Sequence, residues 1–494
     1  MGARSGKEFL EGLRTRGREV WLGPECVDDV TEHPAFAGPA RSIAAVFDRQ
    51  FEFPDDCLMP DPETGESINV SHIIPQCKAD LLRRQSGLLR ISEATVGLMG
   101  RTPDYMNVTF AGFVGEGRLW SGSEGPGISG PNEQGYANLV AFQRHIARND
   151  ISLTHTIVHP NVDKVNDNFV DNPVPLHKTA DTEHGIIVNG AKILATLAPF
   201  ADEIAVYPGA PFKPGSDPRY SLSFSIPMDT PGLVFLCRDS TTVAGGDPFD
   251  RPLSSRFDEQ DAFVIFDHVE VPRDRVFIDA NLDIHNVVMS NAWFPNVMQQ
   301  TTTRAITKLE FAYGLASKLA ETLNDQSPTT MDALGEIYCY IEVARSALEL
   351  SIERSHERPG GGWFPEGRPL HPMRALLADW FPRINDIIVR IGSHNLLAAP
   401  SRGMLDDPRV GALAERYLHG ADGVDANERA ALFRLAWDFV GSGFGARAAL
   451  YERYYLASAP TTRISLHTRY ADRTRPYDLV RRMLDTVDQP AVGP

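Results

Sequence analysis

Three groups of polar residues in this chain have types and spacings that could support chemistry. Arg101 and Tyr105 lie four residues apart and would share one face of a helix, although Pro103 between them favours a tight loop. Thr196 places a hydroxyl after an apolar run, where it could meet a ligand. Residues 441–447, with the sequence Gly-Ser-Gly-Phe-Gly-Ala-Arg, offer backbone amides and an arginine to an anion. Each group also has a structural alternative: a surface arginine, a turn hydroxyl and a close helix–helix joint.

Two further motifs are better explained by local structure than by chemistry. His155 and His159 are four residues apart, but the neighbouring β-branched residues and Pro160 favour a strand. Four strand residues separate the two side chains by ~13 Å, which is too far for one metal ion. Residues 125–130 match the glycine pattern of dinucleotide-binding folds, yet no strand precedes them and Pro131 follows, so a loop is favoured. We predict no metal site, and the sequence contains neither a Walker A motif nor a G-x-S-x-G elbow.

Composition disfavours several classes of function. The 494 residues include 65 acidic and 48 basic side chains, and the formal net charge of −17 opposes binding to nucleic acid or to anionic lipid. No apolar run approaches the ~18 residues that a membrane span requires. The five cysteines are widely spaced and form no C-x-x-C pair, so we predict neither a disulfide framework nor a zinc site. We expect a cytoplasmic protein without nucleic-acid or membrane partners.

The hydrophobic period divides the chain into three regions that must position these residues. Residues 1–148 are mainly helical in pattern, residues 149–278 show a period of two with frequent turn signals, and residues 279–494 return to a helical period. In the middle region, Asn189-Gly190 between two apolar runs predicts a hairpin turn. The order predicts an α+β fold with a helical N-terminal domain, a central antiparallel barrel or sandwich, and a C-terminal helical bundle.

A series of ordered motifs extends over essentially the whole chain. They lie at residues 17–20, 27–31, 100–105, 154–160, 190–192, 195–196, 252–259, 441–447 and 451–453. Together they resemble the oxygenase component of the two-component, flavin-dependent 4-hydroxyphenylacetate 3-hydroxylases. The resemblance implies an acyl-CoA-dehydrogenase-like fold with a central antiparallel β-barrel, and a homodimer or homotetramer assembled through the bundle.

The resemblance also implies the cofactors and the catalytic residues. FAD would arrive in reduced form from a separate NAD(P)H-dependent flavin reductase, with molecular oxygen as co-substrate. A flavin C4a-hydroperoxide would then transfer one oxygen atom ortho to a phenol hydroxyl and give a catechol. The motifs assign catalysis and substrate contact to Arg101, Tyr105 and His155. Neutral His155 would accept the phenol proton, Arg101 would favour the phenolate, and Tyr105 would hydrogen-bond the same oxygen.

The same motifs assign the expected cofactor contacts. Thr196 would lie near the flavin N5 as a donor that prevents early loss of peroxide. The other expected cofactor-binding residues are Thr156, Ile157, Asn161, Val162, Asp163, Lys164, Gly441, Ser442, Gly443, Phe444 and Gly445. The last five would approach the cofactor from the bundle or from a neighbouring subunit.

The chain departs from the family pattern around the substrate. Members that use small aryl acids carry hydroxyl residues after a Tyr-Pro pair. Here Tyr207-Pro208 is followed by Gly209 and Ala210, which are the expected substrate-binding residues and have no hydroxyl group. We therefore expect a phenol larger than 4-hydroxyphenylacetate, which could be tyrosine-derived, carrier-tethered or another natural-product intermediate. A halophenol or nitrophenol monooxygenase is the alternative within the family. Two distant alternatives are a non-catalytic flavin-binding protein and a 4-hydroxybutyryl-CoA dehydratase-like lyase, which would need a C-x-x-x-C pair that the chain lacks.

Overall fold

The computed structural model describes residues 2–123, 131–160, 169–207, 209–242, 246–291, 294–485 and 487. The glycine motif at residues 125–130 lies outside the described residues, and so do the expected cofactor contacts Asn161, Val162, Asp163 and Lys164. Within the described ranges, no helix combines the length and the apolar character that crossing a membrane requires.

The N-terminal region is mainly helical, as its hydrophobic period predicts. Its helices are Gly6–Thr15, Ala37–Glu52, Pro54–Cys57, Lys78–Ala94, Pro103–Gly115, Gly117–Ser121 and Glu133–Asn149. Helix Pro103–Gly115 is buried along its whole length, so the residues that precede it also enter the interior. Strand Glu19–Leu22 leaves this region and pairs in parallel with strand Leu233–Cys237. The first two regions therefore share a sheet.

The strands of the middle region form two sheets. The larger sheet has the order Glu25–Cys26, Glu19–Leu22, Leu233–Cys237, Asp261–Pro272, Gly185–Thr196 and His177–Asp181, and the smaller has the order Val276–Asp279, Leu222–Pro227, Glu203–Val206 and Leu153–Thr156. Phe224 and Phe266, one from each sheet, meet in a common core with ring centroids 6.1 Å apart. Over the described residues the two sheets do not join into the predicted barrel, and both contain a parallel pairing. The sandwich alternative describes this region better, because the two sheets bury their apolar faces against each other.

The predicted hairpin turn at Asn189-Gly190 is wrong. Residues Gly185–Thr196 form one continuous strand, which pairs with strand Asp261–Pro272 on both sides of the Asn-Gly pair. Opposite Asn189 the partner strand carries a bulge, where His268 N donates to Asn189 Oδ1 at 3.2 Å. Gly190 has a φ of +115°, and a Cβ there would lie 2.6 Å from a backbone carbonyl oxygen. The Asn-Gly pair therefore accommodates a bulge and does not reverse the chain.

The C-terminal region is helical, as predicted. Its helices are Leu282–Asn291, Phe294–Thr322, Pro328–Glu353, Gly367–Leu370, Met373–Gly392, Asn395–Ala398, Arg402–Asp406, Pro408–Tyr417, Ala426–Val440, Gly443–Tyr454, Ala459–Ser465 and Thr474–Leu484. Helix Phe294–Thr322 packs against Pro328–Glu353 and Met373–Gly392. Its side chains Leu309, Ala316 and Leu319 are fully buried at helical spacing. Short helix Ser254–Phe257 and the strand pairs Leu58–Pro60 with Ser67–Asn69 and His356–Glu357 with Trp363–Phe364 also belong to the described chain.

Candidate active site

A cavity of about 510 Å³ lies where the strands of the middle region meet the C-terminal bundle. Six of the expected site residues line it, namely Arg101, His155, Ile157, Thr196, Gly209 and Ala210. A volume of this size is typical of small-molecule and cofactor sites.

Arg101 is held in place through its own backbone. Pro103 begins helix Pro103–Gly115, where its missing N–H removes no intrahelical bond, so the segment is a turn that leads into a helix. The buried carboxylate of Glu259 accepts hydrogen bonds from the amides of Gly100 and Arg101 at 2.6 and 2.8 Å. The turn therefore has a fixed conformation just before the helix.

Among the three expected catalytic residues, Tyr105 contacts both Arg101 and His155. The Arg101 guanidinium carbon lies 3.9 Å from the Tyr105 ring centroid. The Tyr105 ring stacks on the His155 imidazole with centroids 5.3 Å apart and an angle of 21° between the planes. Tyr207, which had no predicted role, also stacks on His155 at 5.5 Å and 17°. The imidazole of His155 is thus fixed in its plane by two phenol rings.

Arg101 and His155 are both buried, and the side chain of neither is hydrogen-bonded to any protein group in the part of the chain that the structure describes. Burial, and next the Arg101 cation, hold the pKa of His155 well below its ordinary range, so the ring is neutral at pH 7. Burial acts to lower the pKa of the Arg101 guanidinium, but the surrounding tyrosines raise it, so Arg101 stays cationic. Buried polar groups normally have partners. This pair is therefore suited to bind an oxygen atom of a ligand.

The Thr196 hydroxyl belongs to a charged network. It donates to Asp261 Oδ1 at 2.8 Å, and Arg447 donates to the two Asp261 oxygens at 2.8 and 2.9 Å and to Glu259 at 2.7 Å. Burial acts to raise the pKa of Asp261, but Arg447 lowers it to about 2, so the carboxylate is ionised and accepts only. The expected donor role of Thr196 toward the cofactor does not fit this arrangement. Its hydrogen is directed at Asp261, and its lone pairs remain for the cavity.

Other expected cofactor contacts do not line the cavity. Thr156 follows His155 in a strand and therefore faces the opposite side, where its hydroxyl is buried without a partner among the described residues. Gly441 and Ser442 join two bundle helices, and Gly443, Phe444 and Gly445 form the first turn of the second one. Ser442 Oγ caps that helix by accepting from Gly445 N at 3.2 Å. Contact between these residues and a cofactor stays a prediction.

Two bundle tyrosines without a predicted role complete the surroundings of Arg101. The ring centroids of Tyr451 and Tyr455 lie 5.5 and 5.1 Å from its guanidinium carbon, and both residues line the cavity. Gly100 permits this approach, because a Cβ there would lie 2.0 Å from Tyr451 Oη. The signal in the sequence is the four-residue spacing of Arg447, Tyr451 and Tyr455, which places them on one helix face.

A second polar cluster, formed by Lys192 and His159, also lines the cavity. Lys192 lies four residues before Thr196 on the same strand, and it contacts His159 Nε2 at 3.0 Å and donates to the Ile157 carbonyl oxygen at 3.3 Å. Burial lowers the pKa of Lys192 to about 7. Because side chains alternate between the two faces of a strand, residues four apart lie on the same face, and this spacing is the signal in the sequence that places Lys192 beside the cavity with Thr196.

Comparisons with known proteins identify the family of this chain. Family models described as the N-terminal and C-terminal parts of 4-hydroxyphenylacetate 3-hydroxylase match residues 5–278 and 284–485. The chain is 34% identical to the 4-hydroxyphenylacetate 3-monooxygenase oxygenase component of Thermus thermophilus, over 92% of each chain. It is 30% identical to a (3S)-3-amino-3-(3-chloro-4-hydroxyphenyl)propanoyl-[peptidyl-carrier protein] monooxygenase of Streptomyces globisporus, over 94% of this chain and 86% of that one. A crystal structure of the oxygenase component of 4-hydroxyphenylacetate 3-monooxygenase with FAD and 4-hydroxyphenylacetate has a TM-score of 0.89, with 32% identity and 98% of both chains covered. The chain therefore belongs to the 4-hydroxyphenylacetate 3-hydroxylase family.

Proposed function

We propose that this enzyme hydroxylates a phenol ortho to its hydroxyl group, giving a catechol, with reduced FAD and molecular oxygen. As the oxygenase component of a two-component monooxygenase, it would receive reduced FAD from a separate NAD(P)H-dependent flavin reductase. One observation carries the proposal. Arg101 and His155 line one cavity, are buried without partners in the described chain, and both pack on Tyr105.

The pair Arg101 and His155 suits activation of a phenol. A free phenol titrates near ~10, so it carries its proton at neutral pH. Neutral His155 accepts that proton, and the Arg101 cation stabilises the phenolate that forms. Removing the proton raises the electron density at the ring carbon ortho to the oxygen, which is the position proposed for hydroxylation. His155 then holds the proton until it is released.

The residues of the cavity fit FAD. When bound, reduced FAD supplies two electrons to molecular oxygen, so that one oxygen atom enters the phenol ring and the other leaves as water. Thr196 presents lone pairs because Asp261 holds its hydrogen, which suits an N–H donor of a reduced flavin. Leu194 and the buried Val297 and Met298 supply apolar wall, which would limit the access of water to a reactive intermediate.

The proposed substrate is larger than 4-hydroxyphenylacetate. Gly209 and Ala210 line the cavity but provide no hydroxyl to hold a short carboxylate. A Cβ at Gly209 would lie 3.0 Å from the Ile157 carbonyl oxygen, so a side chain there would require a small shift of its neighbours. The Streptomyces globisporus relative is named for a carrier-tethered phenol. This supports a tyrosine-derived, carrier-tethered or other natural-product phenol for the present enzyme.

The expected homodimer or homotetramer is also part of the proposal. The last helix, Thr474–Leu484, exposes Tyr477, Val480 and Leu484, with exposed fractions of 59%, 58% and 64%. Side chains three and four residues apart share a helix face, and such an apolar stripe suits contact with a second copy. Light scattering after size exclusion measures the assembly directly.

The test supplies chemically reduced FAD, ¹⁸O₂ and a panel of phenols, and the products are read by mass spectrometry. The panel contains 4-hydroxyphenylacetate, tyrosine, coumarate, a chlorophenol and a thioester-linked tyrosyl group. We expect one ¹⁸O atom in a catechol product of at least one larger phenol, and its loss in His155→Asn. His394→Asn is the matched control, because His394 is exposed on the bundle. If oxygen is consumed while all phenols return unchanged, the proposed hydroxylation is wrong.

A further inference from the structure

We propose that Lys192, oriented by His159 and Ile157, forms an anion-binding subsite in the cavity that Arg101 and His155 also line. The anion is a delocalised negative group, either a carboxylate of the phenolic substrate or the charge of the reduced flavin. The identity of these two ligands rests on the proposed function, whereas the subsite itself rests on the geometry around Lys192.

Lys192 is only 3% exposed, yet it lines the cavity. Its hydrogen-bond partners are the Ile157 carbonyl oxygen at 3.3 Å and His159 Nε2 at 3.0 Å, both of them neutral. No carboxylate in the described part of the chain pairs with it. Buried charges in proteins are normally paired, because desolvation is costly. The charged form of Lys192 therefore lacks an anion, and the cavity is the side from which a ligand can supply one.

His159 orients the amine without competing for the anion. Because an ammonium group only donates, His159 Nε2 accepts from it and the ring hydrogen lies on Nδ1. Burial, followed by Lys192 and His285, lowers the pKa of His159 to about 2, so the ring adds no second charge. Its Nδ1 is buried and has no partner within the described ranges. The ring is thus a fixed neutral support for Lys192.

The described side chains that pack around His159 and line this part of the cavity include aromatic rings and a neutral histidine. His159 packs on Phe169 with ring centroids 5.0 Å apart, and Phe169 packs on Phe212 at 4.9 Å. His285 donates from Nε2 to a backbone carbonyl oxygen at 3.0 Å, and burial lowers its pKa to about 3, so it is neutral. Lys213 also lines the cavity. An anion entering here meets positive charge in a low-dielectric environment, where attraction is stronger than in water.

The position of Lys192 limits the length of a substrate that reaches it. Lys192 and His155 both line the cavity, and Lys192 donates to the carbonyl oxygen of Ile157, two residues after His155. A phenolic acid with its hydroxyl at His155 and its carboxylate at Lys192 has to span the cavity between these two side chains. Such a contact would replace the hydroxyls that Gly209 and Ala210 lack. Reduced flavin, which is an anion at neutral pH, is the other source of the same charge.

The test compares Lys192→Met with the wild type in two binding experiments. The first measures the affinity of the FAD-loaded enzyme for hydroxyphenyl alkanoic acids of increasing length and for their neutral amides. The second measures the affinity for oxidised and for anaerobically reduced FAD. If a substrate carboxylate binds Lys192, the ratio of the affinity for the acid to that for its amide should fall at least about tenfold in Lys192→Met. The ratio of the affinities for reduced and oxidised FAD should then stay unchanged. A flavin charge at Lys192 predicts the reverse pattern. Lys318→Met is the matched control, because the Lys318 side chain is 70% exposed.

A wild-type measurement keeps the proposal testable if Lys192→Met does not fold. The pKa of Lys192 is about 7, so the affinity for the anionic ligand should fall as the pH rises through that value, while the affinity for the neutral amide stays constant. The proposal is overturned if neither ratio changes in Lys192→Met and neither affinity depends on pH in this range. These are binding results, so they are distinct from a failure of the hydroxylation assay, which would refute only the proposed reaction.

Discussion

Replacing Arg447 by Met should destabilise the enzyme and uncouple oxygen use from hydroxylation. Arg447 makes three hydrogen bonds to two carboxylates from the middle region, Glu259 and Asp261. Glu259 in turn fixes the amides of Gly100 and Arg101, and Asp261 holds the Thr196 hydroxyl. One bundle residue thus positions both ends of the candidate site, although it does not line the cavity.

The expected loss of stability follows from the hydrogen-bond donors that Asp261 and Glu259 keep when Arg447 is replaced. Asp261 retains Arg238, whose Nε donates at 3.0 Å. The Glu259 side chain is 0% exposed and loses the cation that pairs with it, keeping only two backbone donors. Breaking a buried ion pair by removing one partner costs about 3–5 kcal/mol. We expect Arg447→Met to lower the free energy of unfolding by that amount, with most of the cost at Glu259.

A double-mutant cycle measured by chemical denaturation tests this assignment. Glu259→Gln removes the unpaired charge, so the double variant should be more stable than the sum of the single changes by about 2 kcal/mol. Arg463→Met is the control, because its ion pair with Asp379 is more than half exposed on both sides and should change stability little. The catalytic readout is catechol formed per oxygen consumed, which should fall in Arg447→Met and recover partly in Arg447→Lys. If Arg447→Met costs no more stability than Arg463→Met, the reasoning about the network is refuted.

Three further predictions concern the base, the bundle and the substrate wall. His155→Asn should lower the rate of hydroxylation by about 10²–10⁴-fold without weakening FAD binding, measured by product formation and flavin titration. Glu452→Gln leaves the buried cations Arg304 and Lys308 unpaired and should lower the free energy of unfolding by about 3–5 kcal/mol near neutral pH. Burial acts to raise the pKa of Glu452, but Arg304 and Lys308 lower it to about 2. The stabilisation by the Glu452 carboxylate is therefore complete above its unfolded pKa near ~4.3 and is lost as the pH falls toward 2. The difference in stability between Glu452→Gln and the wild type should accordingly shrink in acid. Ala210→Ser adds a hydroxyl to the cavity wall and should raise the affinity for 4-hydroxyphenylacetate by about two- to tenfold, measured by competition with a larger phenol.

The order of the fold could be predicted from hydrophobic period, because period reports which face of each element is buried. It could not reveal how the strands pair. Strand Glu19–Leu22 joins a strand more than two hundred residues away, and such pairing depends on packing that a local pattern does not contain. The Asn-Gly pair at residue 189 has the chemistry of a turn, yet pairing along both flanks with strand Asp261–Pro272 outweighs the local preference.

In the candidate site, too, some features could be predicted from sequence motifs and others only from the folded structure. Arg101, Tyr105 and His155 each belong to a recognisable motif, and in the structure Arg101 and His155 both pack on Tyr105. Tyr207 belongs to the Tyr-Pro pair, to which the motifs assign no catalytic role, and only the structure shows it stacked on His155. Lys192 lies in a motif, but its sequence neighbours do not reveal that it is buried without a carboxylate in the described chain. Burial and the absence of a partner are properties of the folded molecule.

The location of the charged network of Arg447, Glu259 and Asp261 explains why the Arg101 guanidinium is buried without a carboxylate partner in the described chain. Arg101 comes from the N-terminal region, Thr196 from the middle region and Arg447 from the bundle, and Glu259 and Asp261 join all three. The carboxylates are neutralised by Arg447 at positions away from the cavity, so they do not pair with the Arg101 guanidinium itself. If Glu259 instead bound the guanidinium, Arg101 would have no free donor for a phenolate. Holding Arg101 by its backbone amide therefore fixes the cation in place while leaving its charge available to a substrate oxygen.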